Sequence, residues 1–385
     1  MTGYIDGLEG VIAAETVLSE VDGQAGRLII RGRPLSELAG RMPFEAAARL
    51  LLDGFFAELP GDLTLPLGEA RSEVFSETQA LDPELLGLSP LEGVRALMAR
   101  LPDSDDLGAA LRLIAAPAVF ATAILRRQSR AQPAAPDPRV SHAADILRML
   151  HGAQRPAQEA QALDAYLVTV CDHGLNASTF AARVVASTRA GLTSAALAGI
   201  SALKGPLHGG APGPVIEMLD AIGTPPAARA WLEAALERGD RLMGFGHRIY
   251  RVRDPRTDAL KAAVRKLAAG SPALPGRLAF AEAVEQAALA ILNDRKPDRS
   301  LETNVEFYTA LLLEALAFPP AAFTCVFAMG RIAGWIAHAR EQAATGRLIR
   351  PQSRYVGPAL RAVRATEYAV SGVDLAGERH VQHQR

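Results

Sequence analysis

Alanine and leucine dominate long stretches of the chain while β-branched alternation is rare, and helix propensity summed over such windows predicts an all-α fold. One exception lies near the start. Glu15-Thr16-Val17-Leu18-Ser19 and Arg27-Leu28-Ile29-Ile30-Arg31 flank Asp22-Gly23 and end at Gly32, which predicts a small hairpin or sheet. Residues 43–150 read as helical, broken at the Pro-rich residues 132–138, where an exposed loop is expected. Asp254-Pro255-Arg256 has the form of a helix start, with Asp as N-cap and Pro in the first turn, followed by Leu260, Val264 and Leu267 on one face before Gly270. A further helix is expected from Phe307 to Leu316, starting directly after Glu306 and halted by Pro319-Pro320. Residues 323–337 are apolar on nearly every face except at Arg331, too short to span a membrane and expected as a core helix. The charged tail after Val373, with His380 and His383, is expected to be mobile.

At 385 residues the chain is long enough for two lobes and a cleft between them. Lys+Arg 41 against Asp+Glu 42 leaves a formal net charge of -1, so no overall field draws it to nucleic acid or an anionic membrane. Small-molecule partners are expected instead. Cys171 and Cys325 lie far apart, with neither zinc spacing nor the density of a disulfide scaffold. With no targeting signal in the first residues, a reducing cytoplasm is the expected location.

Three of the eight histidines stand in short polar or Gly-rich stretches: Asp172-His173-Gly174-Leu175-Asn176, Gly205-Pro206-Leu207-His208-Gly209-Gly210 and Gly244-Phe245-Gly246-His247-Arg248. Glycine lets a ligand approach the backbone and leaves N–H groups free to donate. One such histidine alone is as readily a turn residue near a helix end. Their spacing matches no zinc motif, so no metal is expected. Gly244-Phe245-Gly246 lacks the third glycine of a dinucleotide loop, and no Gly-Lys-Ser/Thr closes a phosphate loop. A buried Arg331 needs an anion, either an internal carboxylate or a substrate. Arg256 and Arg350 carry planar forks suited to a dicarboxylate, though either could equally face solvent. Arg248, Arg251 and Arg253 crowd the turn after His247, a basic edge that can hold phosphates, and Lys204 is expected to add to that field.

Taken in order, these segments resemble the citrate synthase family. The matching text is His173-Gly174-Leu175-Asn176-Ala177-Ser178-Thr179-Phe180, then Leu203-Lys204-Gly205-Pro206-Leu207-His208-Gly209-Gly210, then Gly244-Phe245-Gly246-His247-Arg248 with Asp254-Pro255-Arg256. It continues through Asn304-Val305-Glu306-Phe307-Tyr308, Arg331 to His338, and Arg350-Pro351 with Tyr355-Val356-Gly357. Gly7-Leu8-Glu9-Gly10-Val11 and Gly26-Arg27-Leu28 extend the likeness to nearly the whole chain.

The resemblance implies a two-domain helical enzyme, with residues 1–210 and 318–385 as the large domain and residues 211–317 as a small domain that closes on oxaloacetate. It implies Glu306 as the base for the thioester α-carbon, His208 as donor to the thioester oxygen and His247 as the group polarising the oxaloacetate carbonyl. His173, Arg256, Arg331 and Arg350 would hold the substrate's carboxylates, Arg350 across a dimer interface. Arg251 and the backbone of Met243, Gly244, Phe245 and Gly246 would meet CoA. The implied enzyme is a short-type homodimer without metal or cofactor, the CoA thioester being a substrate. It would make citrate from acetyl-CoA and oxaloacetate. Propionyl-CoA, giving 2-methylcitrate, is one alternative; an idle relative that only binds acyl-CoA or oxaloacetate is another. The family's usual base is aspartate, so Glu306 extends the reach by one bond, about 1.5 Å, and an error of about 1 Å in a reacting group costs roughly a hundredfold.

Overall fold

The Ala- and Leu-rich segments fold as helices, with three short strands near the start, so the architecture is the all-α one expected. The structure is a computed structural model and describes residues 5–209, 213–247, 249–250, 252–272, 274–295 and 301–359. Its contacts divide the chain into residues 1–349 and residues 350–385. Of the second unit, residues 350–359 are described and form no helix or strand. Arg248, Arg251, His380 and His383 lie outside the described residues.

Strands β1 Ser19–Asp22, β2 Arg27–Ile30 and β3 Arg33–Pro34 form one antiparallel sheet in chain order, with Ser19 opposite Ile30 and Ile30 opposite Arg33. The hairpin is where Asp22-Gly23 placed it, but its first strand begins at Ser19 rather than Glu15. The backbone before it is engaged elsewhere: Val17 N–H donates to Glu341 Oε1 at 2.8 Å, and Leu18 N–H to Thr16 Oγ1 at 3.1 Å. Asp22 Oδ1 holds the turn by accepting from the N–H groups of Gln24 and Ala25.

Two long helices, Leu107–Gln128 and Phe323–Thr345, run through the core. Both have the length and apolarity to cross a membrane, yet 83% of each apolar window is buried inside the protein. The expectation that residues 323–337 are too short to span is corrected, since the helix continues to Thr345 and has 23 residues. Its role as a core helix stands, because burial by its neighbours decides that. Each fully buried Val, Ile, Met or Phe on it contributes about 1.5–3 kcal/mol.

The Pro-rich loop is also not the free surface loop expected. The carbonyls of Gln132, Ala135 and Asp137 accept from Arg126, Arg148 and Arg71, and Pro138 presses on Gly68, where a Cβ would stand 2.1 Å from Pro138 O. Arg71, fully buried, is paired with Asp145 at 2.7 Å. The arginines satisfy carbonyls that Pro residues leave without a ladder.

Three side-chain caps place the segments singled out above. Asn176 Oδ1 accepts from Ser178 and Thr179 at the start of Ala177–Ala186. Asp254 caps Pro255–Ala269 as expected, with Leu260, Val264 and Leu267 buried. Asn304 Oδ1 accepts from Glu306 N–H at 3.0 Å, so the helix is Val305–Ala315 and Glu306 lies inside its first turn rather than before it.

Candidate active site

His173, His208 and His247 come from three different turns, and buried Arg256 and Arg331 act on them together. Burial first, and then both guanidinium groups, depress His173 and His208, while burial and then Arg256 depress His247. His173 and His247 stand edge to face with ring centroids 6.1 Å apart. Tyr250 completes this corner. Its hydroxyl is 3.0 Å from His173 Nε2, and its ring lies 4.8 Å from that of His247.

His247 is oriented by its own turn. Its Nδ1 accepts from the backbone N–H groups of Ile249 and Tyr250, each at 3.0 Å, so the proton of the neutral ring sits on Nε2. Nε2 is 3.1 Å from Arg256 Nη2. A guanidinium only donates. Two donors therefore face one space, an arrangement suited to a shared carbonyl or carboxylate oxygen. Burial first, then Arg256, pushes His247 down to about 4, with Asp254 opposing. Arg256 is itself held by Asp254, with Nε to Oδ1 at 3.0 Å and Nη2 to Oδ2 at 2.8 Å.

His208 faces the site from the turn after Leu192–Leu203. Gly209 allows that turn to close, because a Cβ there would lie 2.5 Å from Leu203 O. His208 Nε2 is 2.8 Å from Ser178 Oγ, which accepts from Trp335 Nε1 at 3.1 Å and donates to Asn176 Oδ1 at 2.7 Å. Burial, then Arg331 and Arg256, pushes His208 down to about 4. It is a neutral imidazole near pH 7.

Arg331 is 1% exposed. Its Nε donates to Val170 O, its guanidinium lies 4.9 Å from the Phe327 ring centroid, and its Nη2 is buried without a hydrogen-bond partner. Burial pulls it down to about 10, opposed by Asp172, so it keeps its charge. Such an orphaned donor on a buried cation fits an incoming anion.

Glu306 is half-buried, and burial raises its carboxyl to about 7, with Arg256 and Arg331 lowering it and Asp254 raising it. Its backbone is tied to the His247 loop. Gly246 N–H donates to Glu302 O at 2.8 Å, Asn304 N–H to Gly244 O at 2.9 Å, and Asn304 Nδ2 to Gly246 O at 2.9 Å. Phe245 bridges Thr303, and its ring packs 5.5 Å from that of Phe307. Gly244 has φ +86, and a Cβ there would meet the Phe307 ring at 2.9 Å.

Not every expectation is met. The Gly246 N–H, expected to be free for a ligand, is occupied by Glu302. Lys204 does not join the basic edge; it pairs with Glu92 on the surface. Arg253 pairs with Asp258 at 2.5 Å. Arg350 is the first residue of the second unit. Tyr250, Ser178, Trp335 and the pairing role of Asp254 were missed. Their signal was proximity: Tyr250 follows His247 by three residues and Ser178 follows the capping Asn176 by two. Among the described residues, no group of three or more His, Cys, Asp or Glu side chains is placed to hold a metal ion.

Comparison with known proteins bears on the family. The family described as citrate synthase, C-terminal domain, matches residues 7–352. A Mycobacterium tuberculosis protein named "Putative citrate synthase 2" is 40% identical, covering 94% of this chain and 96% of its own. The 2-methylcitrate synthase of the same species is 36% identical over 94% of this chain and 92% of its own. Among solved structures, the citrate synthase of Pyrobaculum aerophilum superposes with a TM-score of 0.81 at 30% identity, covering 94% of this chain and 95% of the other.

Proposed function

This chain belongs to the citrate synthase family, enzymes of acyltransferase type, and we propose that it condenses acetyl-CoA with oxaloacetate and releases citrate and CoA. The observation that carries this reading is the pairing of a carboxyl raised to about 7 with two neutral histidine donors around two buried arginines. A base poised near the working pH suits removal of a weakly acidic α-proton.

Glu306 would take that proton while His208 donates to the thioester oxygen. The family resemblance assigns that donor role to His208, whose Nε2 is held 2.8 Å from Ser178 Oγ. The enol carbon then attacks the oxaloacetate carbonyl, whose oxygen is held between His247 Nε2–H and Arg256 Nη2. His247 gives its proton to the new alkoxide, and water cleaves the condensed thioester. His173, Arg256 and Arg331 take the carboxylates, Arg331 through its unpaired Nη2.

The remaining assignments rest on the family resemblance. Residues 211–317 act as the closing small domain, Arg350 contributes to oxaloacetate binding across a homodimer, and Arg251 with residues 243–246 meets CoA. The enzyme works in the cytoplasm without a metal or prosthetic group. Propionyl-CoA is the second reading, supported by the likeness to a 2-methylcitrate synthase.

The test is oxaloacetate-dependent CoA release from each thioester. One methylene is worth about 1–3 kcal/mol of discrimination, so kcat/KM should favour acetyl-CoA by about tenfold or more. His208→Ala and His247→Ala should abolish turnover. Preference for propionyl-CoA moves the reading to 2-methylcitrate, and turnover unaffected by both substitutions overturns it.

A further inference from the structure

Asp172 lies against the helix Phe323–Thr345 between two basic residues of that helix, Arg331 and His338. Gly334, between them in sequence, makes the approach possible, since a Cβ there would stand 2.3 Å from Cys171 O and 3.0 Å from Asp172 Oδ1. All three charged or polar side chains are buried. The carboxylate bonds to only one of its two neighbours. His338 Nε2 lies 3.2 Å from both Asp172 oxygens, while Arg331 Nη2 has no partner at all.

His338 is fixed from behind. Arg183 Nη1 is 3.0 Å from His338 Nδ1, and because a guanidinium only donates, Nδ1 accepts and the ring proton sits on Nε2, facing Asp172. Arg183 is anchored in turn by Glu341 and Gln342, and Glu341 also takes Val17 N–H. The Ser19 hydroxyl adds a second hydrogen bond to Asp172. Without these bonds, a buried carboxylate beside a buried guanidinium would close on it, because attraction in a low-dielectric interior is strong and Arg–carboxylate pairing is geometrically favoured.

We propose that His338 is a positioning residue of the dicarboxylate site: its Nε2 proton holds Asp172 back and keeps the Arg331 fork open for a substrate carboxylate. This rests on the reading of Arg331 as an oxaloacetate ligand. Asp172 then acts as a counter-charge that does not occupy the fork.

The experiment is steady-state kinetics on His338→Leu, His338→Gln and the double variant His338→Leu/Asp172→Asn, with thermal melts to confirm folding. His338→Leu should raise the KM for oxaloacetate at least about tenfold, the scale of a lost charge-assisted contact, with kcat within about threefold. His338→Gln keeps an N–H donor and should restore a KM near that of the unsubstituted enzyme. Adding Asp172→Asn removes the charge that would close on Arg331 and should bring the KM back down. If His338→Leu does not fold, His338→Asn, whose amide is too short to reach Asp172, takes its place. Lower melting temperatures without a split between KM and kcat, or a double variant no better than the single, overturn the proposal. Arg331→Ala separates the two levels. If it leaves the KM unchanged, the functional reading itself fails; if it raises the KM while His338→Leu does not, only the role of His338 fails.

Discussion

Glu306→Asp would shorten the proposed base by one bond and draw its carboxylate back by about 1.5 Å. The backbone cannot follow it forward. Asn304 caps the helix, and three hydrogen bonds of 2.8 to 2.9 Å tie residues 302–304 to Gly244 and Gly246. A misplacement of about 1 Å costs roughly a hundredfold, or about 2.7 kcal/mol of barrier. The expected outcome is a kcat lowered about a hundredfold, with the KM for oxaloacetate changed less than about twofold. CoA release at saturating substrates measures it. The pH profile of the unsubstituted enzyme adds a check: a base at about 7 must be deprotonated to act, so the rate should fall as pH drops below about 7. His208 and His247, at about 4, stay neutral across that range and add no limb there. Equal or faster turnover by Glu306→Asp would refute the view that this backbone is set for glutamate.

Glu306→Gln should abolish turnover yet stabilise the fold at alkaline pH. The folded carboxyl binds its proton more tightly than the unfolded one, so its contribution is present below about 4.5 and lost as pH rises through about 7. Urea melts should give the variant roughly 1–3 kcal/mol at pH 8 and no gain at pH 4; a pH-independent difference would contradict the raised carboxyl. Gly244→Ala meets a left-handed φ and the Phe307 ring, so a loss of about 1–3 kcal/mol in denaturant melts and a lower kcat/KM are expected. Asp145→Ala strands a buried Arg71 far from this chemistry; it should cost about 3–5 kcal/mol in melts while leaving both KM values unchanged.

Elements defined by local signals were legible in the sequence. Asp254 capping a Pro-led helix and the Asp22-Gly23 turn are short-range chemistry, and both appear where expected. Boundaries set by distant partners were not. β1 starts late because Val17 is claimed by Glu341, more than three hundred residues on, and the Pro-rich loop is held by arginines of three other segments. The three histidines and Arg331 stood out by composition, but only the fold reveals that Arg331 Nη2 is buried and unpaired. Lys204 shows the converse failure, since adjacency in sequence to His208 did not stop its side chain turning away to Glu92.

The central claim is a carbon–carbon bond formed between the acyl methyl carbon and the oxaloacetate carbonyl by Glu306, His208 and His247. Product analysis with acetyl-CoA labelled at the methyl carbon tests it most directly, comparing the unsubstituted enzyme with Glu306→Gln. Labelled citrate and free CoA, formed only when oxaloacetate is present and lost in the variant, is the predicted result. Labelled acetate released without oxaloacetate, or ligand-induced thermal stabilisation with no citrate formed, would contradict it.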